Sequence, residues 1–165
     1  MTTYQEDPAT ASTPNISPEE LVNEILEEEI KINYVDVIQT VISSLDQDDT
    51  AMVSHTELGD LWKFKYGSVE VFVQLTGTTD EDTLTVWSTV LKLPAKNEPQ
   101  LMRKLLEMNG AETFESRFAI INDQVVVVSL RTVAELSAGE ISRSITIVAA
   151  IADNNDEALQ SEFGH

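Results

Sequence analysis

The sequence contains no cysteine and only two histidines, and these absences exclude several kinds of chemistry. Without cysteine the chain can form no disulfide, no thiolate metal site and no catalytic thiol. A Ser/His/Asp arrangement would depend on His55, because the other histidine is the terminal His165. The neighbours of His55 in "SHTELGD" include a serine and acids but not the glycine-flanked serine of a hydrolase. We therefore expect a protein without enzymatic activity and without catalytic residues.

Long apolar runs and glycine-rich loops are also lacking. The longest apolar run extends from Ile147 to Ala152, whereas a helix needs roughly 20 apolar residues to span a bilayer. The first residues, "MTTYQEDPATASTPN", are acidic and polar, whereas a secretory signal is basic and then apolar. Gly67 and Gly77 stand alone at predicted strand ends and form no phosphate-binding loop. These features predict a cytoplasmic protein that binds no membrane and no cofactor.

Basic residues are scarce, since 10 Lys and Arg stand against 29 Asp and Glu and give a formal net charge of -19. Lys31 is the only base in residues 1–60. Such a field repels phosphate backbones, so we expect no nucleic-acid partner. The excess of acid has two interpretations. It keeps the protein soluble, or it attracts a basic protein client.

The N-terminal part of the chain is expected to precede the main domain. Residues 1–15 are predicted to be a flexible acidic and polar tail, because they contain too few apolar residues to order themselves. Residues 16–33 are predicted to form an amphipathic helix, since Ser17 and Glu20 make a capping box before an apolar stripe. The apolar period of residues 34–45 predicts further helix, either as a second helix or as a bent continuation of the first.

Five later segments alternate apolar and polar residues with the period of a strand. Two lie in "LWKFKYGSVEVFVQLTG" and one in "LTVWSTVLKL"; the last two, in "ETFESRFAII" and "QVVVVSL", flank a hairpin turn at Asn122 and Asp123. Helices are predicted after Asn97 and after Ser137, and the second of these is expected to end near "DNND". The order α-β-β-β-α-β-β-α predicts an α+β fold, with an antiparallel sheet of about five strands and helices mostly on one face.

The same segments, from "LWKFKYGSVEVFVQLTG" through "LKLP", "LLEMNG", "FAIINDQVVVVSLR" and "LSAGEISRSITIVAAIAD", resemble the YbjN family. The resemblance covers residues 34–160 and leaves residues 161–165 as a C-terminal tail. That family is similar in fold to the Tir-type chaperones of bacterial type III secretion. The resemblance therefore implies a secretion-chaperone-like sandwich, often a homodimer, whose relatives hold an extended stretch of a client protein against apolar patches. It carries over no functional residue.

One stretch matches part of a calcium-binding loop. "DQDDTAMVSHTE" places acidic or hydroxyl side chains at the first, third, fifth and twelfth positions of that template. Ala51 replaces the template glycine, and the segment leads toward a strand where a helix is required. A small-ligand or calcium-responsive regulator that uses loop 46–57 is therefore the alternative function. Its weak candidate ligands are Asp46, Asp48, Thr50 and Glu57.

Four consecutive valines in "NDQVVVVSL" indicate a strand that is covered on both faces, because a strand with one face in water alternates apolar and polar residues. Val125 and Val127 point to one side, and Val126 and Val128 to the other. The helices of the domain can cover one of these faces. The second face is covered by the N-terminal helix of the same chain, by a second copy in a symmetric dimer, or by a client.

These observations predict a non-enzymatic, homodimeric, chaperone-like or adaptor protein that binds another polypeptide through an apolar sheet or helix surface. Its acidic perimeter would favour a basic client. The candidate partner contacts are large apolar side chains that are equally suited to the core: Trp62, Phe64, Tyr66, Phe72, Trp87, Val126 and Val128.

Overall fold

A computed structural model describes residues 17–29 and 32–165, and the chain divides into two units at residue 31. The first unit contains helix α1 (Pro18–Glu29). The backbone N–H of Ser17 donates to Glu20 Oε2 at 3.0 Å, and the N–H of Glu20 donates to Ser17 Oγ at 3.2 Å. The predicted capping box is thus present, while the tail predicted for residues 1–15 lies outside the described residues.

The second unit is a six-stranded antiparallel sheet with three helices. In chain order its elements are α2 (Tyr34–Leu45), β1 (Met52–Thr56), β2 (Gly59–Tyr66), β3 (Val69–Leu75), β4 (Thr83–Lys92), α3 (Glu98–Ala111), β5 (Arg117–Ile121), β6 (Gln124–Thr132) and α4 (Ala138–Phe163). The strands lie in the order β1-β2-β3-β4-β6-β5, and every neighbouring pair is antiparallel. The predicted α+β class and antiparallel sheet are confirmed.

Strand β1 was not among the five predicted strands. Its residues, Met52–Thr56, are all exposed because β1 is an edge strand with neither face packed on a core. An edge strand of this kind needs no alternation of apolar and polar residues, so the usual sequence signal of a strand is missing. The hairpin between β5 and β6 was predicted correctly, and Asn122 and Asp123 have the positive φ values of 49° and 56° that its tight turn requires.

All three helices of this unit pack against the same face of the sheet. Buried side chains of α2, α3 and α4 form one core with alternate side chains of the strands. We call this side of the sheet the covered face. Val125 and Val127 point into this core, but Val126 and Val128, although buried, do not belong to it. The members of the core that come from the four central strands include Trp62, Phe64, Val71, Val73, Leu84, Val86, Val125 and Val127.

Helix α4 is longer than the sequence indicated. The expected end at "DNND" is wrong, because the helix continues to Phe163, whose side chain is 1% exposed and belongs to the core. Asp156, which looked like part of a polar stop, is buried and accepts a hydrogen bond from Ser68 Oγ at 2.9 Å. Residues 161–163 are therefore helix rather than part of a C-terminal tail, since tertiary contacts override the weak helix propensity of "DNND".

The two edges of the sheet differ. At the β5 edge, the side-chain amide of Asn109 on α3 donates to the carbonyl of Phe118 at 3.1 Å and accepts from the N–H of Phe118 at 2.7 Å. This side chain occupies the hydrogen-bonding positions that another strand would use. At the other edge, β1 has exposed apolar side chains at Met52 and Val53. Within residues 32–165, the edge of β1 that faces away from β2 is not paired with a strand.

A candidate binding surface on the open face of the sheet

The sheet face opposite the three helices is the candidate functional surface, and we call it the open face. Directly paired residues of antiparallel strands project to the same side, so the register defines which side chains share this face. One row of paired residues crosses all six strands. From β1 to β5 this central row consists of Met52, Lys63, Phe72, Trp87, Val128 and Arg117.

An aromatic pair lies at the middle of the central row. The rings of Phe72 and Trp87 are stacked, with centroids 5.3 Å apart and planes inclined by 11°. The ammonium of Lys63 lies 5.7 Å from the centroid of Phe72 and 2.7 Å from Glu70 Oε1. The stack leaves both aromatic side chains half-buried, although no helix of residues 32–165 packs on them.

Val126 and Val128 are buried although they lie on the open face and outside the core. They are 1% and 5% exposed, and each is flanked on the open face by a directly paired residue from both neighbouring strands. For Val128 these neighbours are Trp87 and Arg117. The valine run is therefore buried on both faces, as expected. Leu130, on the same strand and the same face, remains 50% exposed.

The structure divides the seven predicted contact residues between the two faces. Trp62 and Phe64 are 2% and 1% exposed and belong to the core, and Tyr66 packs against that core. These three residues are therefore core residues, which the sequence left open as the alternative to partner contacts. The other four lie on the open face, where the register brings them into adjacent positions: Phe72, Trp87, Val126 and Val128.

Sequence reasoning did not identify the charged and apolar residues that surround these four. On β2, Lys63 and Lys65 project to the open face because they alternate with buried Trp62 and Phe64. The alternation in "LWKFKY" was visible, but it does not tell which strands lie beside β2. Register is needed to place Arg117 in the same row as Lys63. The register also places Leu61, Ala119, Ile121 and Leu130 on the open face.

Charge on the open face is opposite in sign to the charge of the chain. The strand side chains that project there include one acid, Glu70, and four bases. Within residues 32–165, ion pairs engage Lys63 but not the other three bases. The acidic perimeter expected from the net charge is therefore not formed by the strand side chains of this face, which are mostly basic. The four bases are Lys63, Lys65, Lys92 and Arg117.

The candidate metal ligands are not brought together. The carboxylate of Asp46 closes the loop after α2, where it accepts hydrogen bonds from the N–H and Oγ1 of Thr50 at 2.7 and 2.8 Å and from the N–H of Ala51 at 2.7 Å. Glu57 lies beyond strand β1, in the turn that joins it to β2. Among the residues that the structure describes, no group of three acidic or histidine side chains is placed to hold a metal ion.

His55 lies exposed on β1, with its Nδ1 2.6 Å from Asp60 Oδ1 across the β1–β2 hairpin. The neighbouring Ser54 projects to the opposite face of the sheet, because successive residues of a strand alternate sides. The geometry therefore supplies a histidine and an acid without an adjacent serine nucleophile from this segment.

A small cleft between β6 and α4 contains two ion pairs. Arg131 Nη2 lies 2.7 Å from Glu140 Oε1, and Arg143 Nε lies 2.6 Å from Glu115 Oε1. Glu140 also completes a capping box at the start of α4, where its other oxygen accepts the N–H of Ser137 at 2.9 Å. Each base in this cleft already faces a carboxylate, so the cleft is a structural cluster that joins β6 and the loop before β5 to α4.

This cluster predicts a pH-dependent contribution to stability. The N–H of Ser137 and then the guanidinium of Arg131 lower the pKa of Glu140 from its ordinary value of 4.5 to about 2. Because the folded-state pKa is below the unfolded value, this contribution is present above pH 4.5 and is lost as the pH falls toward about 2. Glutamine keeps the capping contact but does not titrate. We expect Glu140→Gln to flatten the pH dependence of the urea midpoint in this interval, and an unchanged slope would contradict the assignment.

Comparisons with known proteins agree with the fold. The profile of the YbjN family, described as "Putative bacterial sensory transduction regulator", matches residues 34–161. A comparison with curated proteins finds no match. Among solved structures, a chain of "Crystal Structure of the ExsC-ExsE Complex" matches with a TM-score of 0.54 and 16% sequence identity, over 76% of this chain and 94% of that chain. At this identity the likeness concerns the fold alone, and it confirms the secretion-chaperone-like architecture expected from the sequence.

None of the helices within residues 17–29 and 32–165 is both long and apolar enough to cross a membrane.

Proposed function

The chain belongs to the YbjN family, and we propose that it is a non-enzymatic, chaperone-like or adaptor protein that binds another polypeptide through the open face. The observation that carries the proposal is the stacked pair Phe72 and Trp87 at the centre of a sheet face that no helix of residues 32–165 covers. The similar chain of known structure was crystallised in a complex of two proteins, which supports a binding role for this fold.

The proposed mechanism is burial of an apolar segment of the partner on the aromatic pair. Phe72 and Trp87 form the apolar centre of the surface, and exposed Leu130 and Ile121 extend it toward β5. Contact with a partner removes these side chains from water, which is the main favourable term in such association. A protein that acts by occupying a segment of its partner is compatible with the regulatory role in the family description.

We also propose that the protein is a homodimer in the cytoplasm. The support for a dimer is strand β1, which is an edge strand with exposed apolar side chains at Met52, Val53 and nearby Leu58. An unpaired edge of this kind can pair with the same strand of a second copy around a two-fold axis. The β1 edge lies outside the centre of the open face, so a dimer formed there leaves Phe72 and Trp87 accessible. The cytoplasmic location remains a prediction from the absence of cysteine.

Binding can be followed through Trp87, because the chain has only two tryptophans. The other, Trp62, is buried, and its indole Nε1 has no hydrogen-bond partner. Trp62→Phe therefore offsets the loss of packing volume by removing an unsatisfied donor, and it leaves Trp87 as the single tryptophan. In full-length Trp62→Phe protein, we expect designed amphipathic peptides to shift the emission of Trp87. Light scattering of the same sample is expected to give twice the chain mass of 18.3 kDa.

Two substitutions of apolar side chains, a test and its matched control, locate the binding surface. Phe72→Ser, at the centre of the open face, is expected to weaken peptide binding by about tenfold or more, as for the central residues of other interfaces. Leu106→Ser changes an exposed leucine on α3, away from that face, and is expected to leave binding unchanged. The proposed function fails if no peptide alters Trp87 emission, or if the two substitutions have equal effects.

A further inference from the structure

We propose that the open face selects an acidic amphipathic segment, so that the partner presents an apolar stripe bordered by Asp or Glu side chains. This inference rests on the proposed function and adds the chemistry of the partner. It reverses the preference suggested by the net charge of -19, which would favour a basic client. The reason is that a bound segment responds mainly to the charges it touches, because solvent and salt screen more distant ones.

The first support is the distribution of bases. The chain has 10 Lys and Arg residues, and four of them project from strands onto the open face. Glu70 is the only acid among the strand side chains of this face, and its carboxylate already faces Lys63 at 2.7 Å. Lys65, Lys92 and Arg117 have no ion-pair partner within residues 32–165. A basic segment would place like charges against these groups.

The second support is the arrangement of the bases around the apolar centre. In the central row, Lys63 lies on one side of Phe72, Trp87 and Val128, and Arg117 lies on the other side. The strands that carry these two bases are four steps apart in the sheet, which corresponds to about 19 Å at the usual strand spacing. A helix with its side chains is roughly 10 to 12 Å wide. A helix that follows the strands over the aromatic pair therefore lies between the two bases.

The other bases extend the same pattern along the strands. Lys65 lies two residues beyond Lys63 on β2, on the same side of the aromatic pair. Lys92 is the last residue of β4, the strand that also carries Trp87, so it lies along the course of such a helix and not on one of its flanks. A helix that places an apolar stripe on Phe72 and Trp87 can thus reach bases with carboxylates from both of its flanks. This matches an amphipathic helix with acids on either side of its stripe.

A polypeptide fits this surface better than a nucleic acid does. The faces of Phe72 and Trp87 are engaged with each other, so the pair does not present two separate platforms for base stacking. The rest of the protein is strongly acidic and repels an extended phosphate backbone. A short acidic helix experiences less of this repulsion and gains from burial of its apolar stripe.

The test uses three designed helical peptides with one common apolar stripe and with Glu, Gln or Lys on the polar positions. Their binding to the full-length Trp62→Phe protein is measured by Trp87 emission and by calorimetry. We expect the Glu peptide to bind about tenfold more tightly than the Lys peptide, as the sum of several partly exposed ion pairs. In Lys65→Glu/Arg117→Glu protein, the order of the Glu and Lys peptides is expected to reverse.

A charge reversal elsewhere is the matched control. Arg103→Glu reverses one exposed base on α3, away from the open face, and so matches the charge change of each of the two substitutions in the double variant. It is expected to leave the order of the three peptides unchanged. Lys65 and Arg117 are exposed, but Lys65→Glu places a carboxylate directly opposite Glu70, so circular dichroism and urea unfolding check that the double variant is folded.

The outcomes separate this inference from the proposed function. Equal binding of the Glu and Lys peptides, or tighter binding of the Lys peptide, overturns the acidic preference and leaves a polypeptide-binding face. Absence of binding by all three peptides overturns both. If a single-stranded oligonucleotide displaces the Glu peptide, the partner class is wrong. If replacement of Trp87 converts a dimer, with twice the chain mass of 18.3 kDa, into a monomer, a second copy occupies the face and the inference fails.

Discussion

Phe64→Ala is expected to lower the free energy of unfolding by about 3 to 5 kcal/mol, which is the usual cost of removing a large aromatic side chain from a core. Phe64 is 1% exposed and lies among the buried side chains of β2, β3 and the helices. The truncation leaves a cavity that the surrounding rigid sheet cannot fill. Urea unfolding monitored by far-ultraviolet circular dichroism measures this loss of free energy from the shift of the urea midpoint.

The matched control is Phe72→Ala, since both phenylalanines lie on neighbouring strands of the same sheet. Phe72 is half-buried on the open face and loses mainly its stack on Trp87, so we expect a cost of about 1 kcal/mol. In the peptide-binding assay the order of the two effects is expected to reverse, so that Phe72→Ala weakens binding more than Phe64→Ala does. Equal losses of stability would show that the open face is part of a closed core, and the candidate surface would no longer be supported.

Gly59→Ala is expected to destabilise the β1–β2 hairpin by about 1 to 3 kcal/mol. Gly59 has a φ of +101°, which side chains other than hydrogen rarely allow. A Cβ atom at this position would lie 2.1 Å from the carbonyl oxygen of Leu75, which is backbone and cannot rotate away. The hairpin must therefore move away from β3. Hydrogen exchange of the β1 and β2 amides, together with urea unfolding, measures the effect.

Gly110→Ala is the control for the Gly59 substitution, and the expected sign is opposite. Gly110 lies within helix α3, and a Cβ atom added there meets nothing within 4 Å. Replacing glycine by alanine inside a helix reduces the entropy of the unfolded chain and is expected to add about 0.5 to 1 kcal/mol to stability. A loss of stability in Gly110→Ala would contradict the position of this residue inside the helix.

Most of the fold could be predicted because its strands and helices carry clear periods. The alternation of Val69, Val71 and Val73 indicated β3, and the valines of β6 indicated a strand with two apolar faces. Strand β1 could not be predicted, since all of its residues are exposed and no face of it is selected to be apolar. The end of α4 was misjudged because "DNND" suggests a stop, while the buried contact of Asp156 with Ser68 exists only in the folded chain.

The candidate surface was only partly predictable for a related reason. Both faces of β2 and β3 carry large side chains, so the sequence does not tell whether Phe64 or Phe72 lies in the core. That distinction depends on which face the helices cover. The charge of the surface was also hidden, because a net charge averages over the chain, while Lys63 and Arg117 become neighbours of one aromatic pair only through strand register.

The side chain of Asn109 has a consequence for how copies of the protein can assemble. Because it satisfies Phe118 at the β5 edge, a strand added there would have to displace it, and extension of the sheet is favoured at β1. Chains that join β1 to β1 use identical surfaces, and such a contact closes on itself. A head-to-tail contact of β1 on β5, which would continue indefinitely as a fibre, is disfavoured. Removing the amide by Asn109→Ala would therefore open the molecule to polymerisation rather than loosen its core.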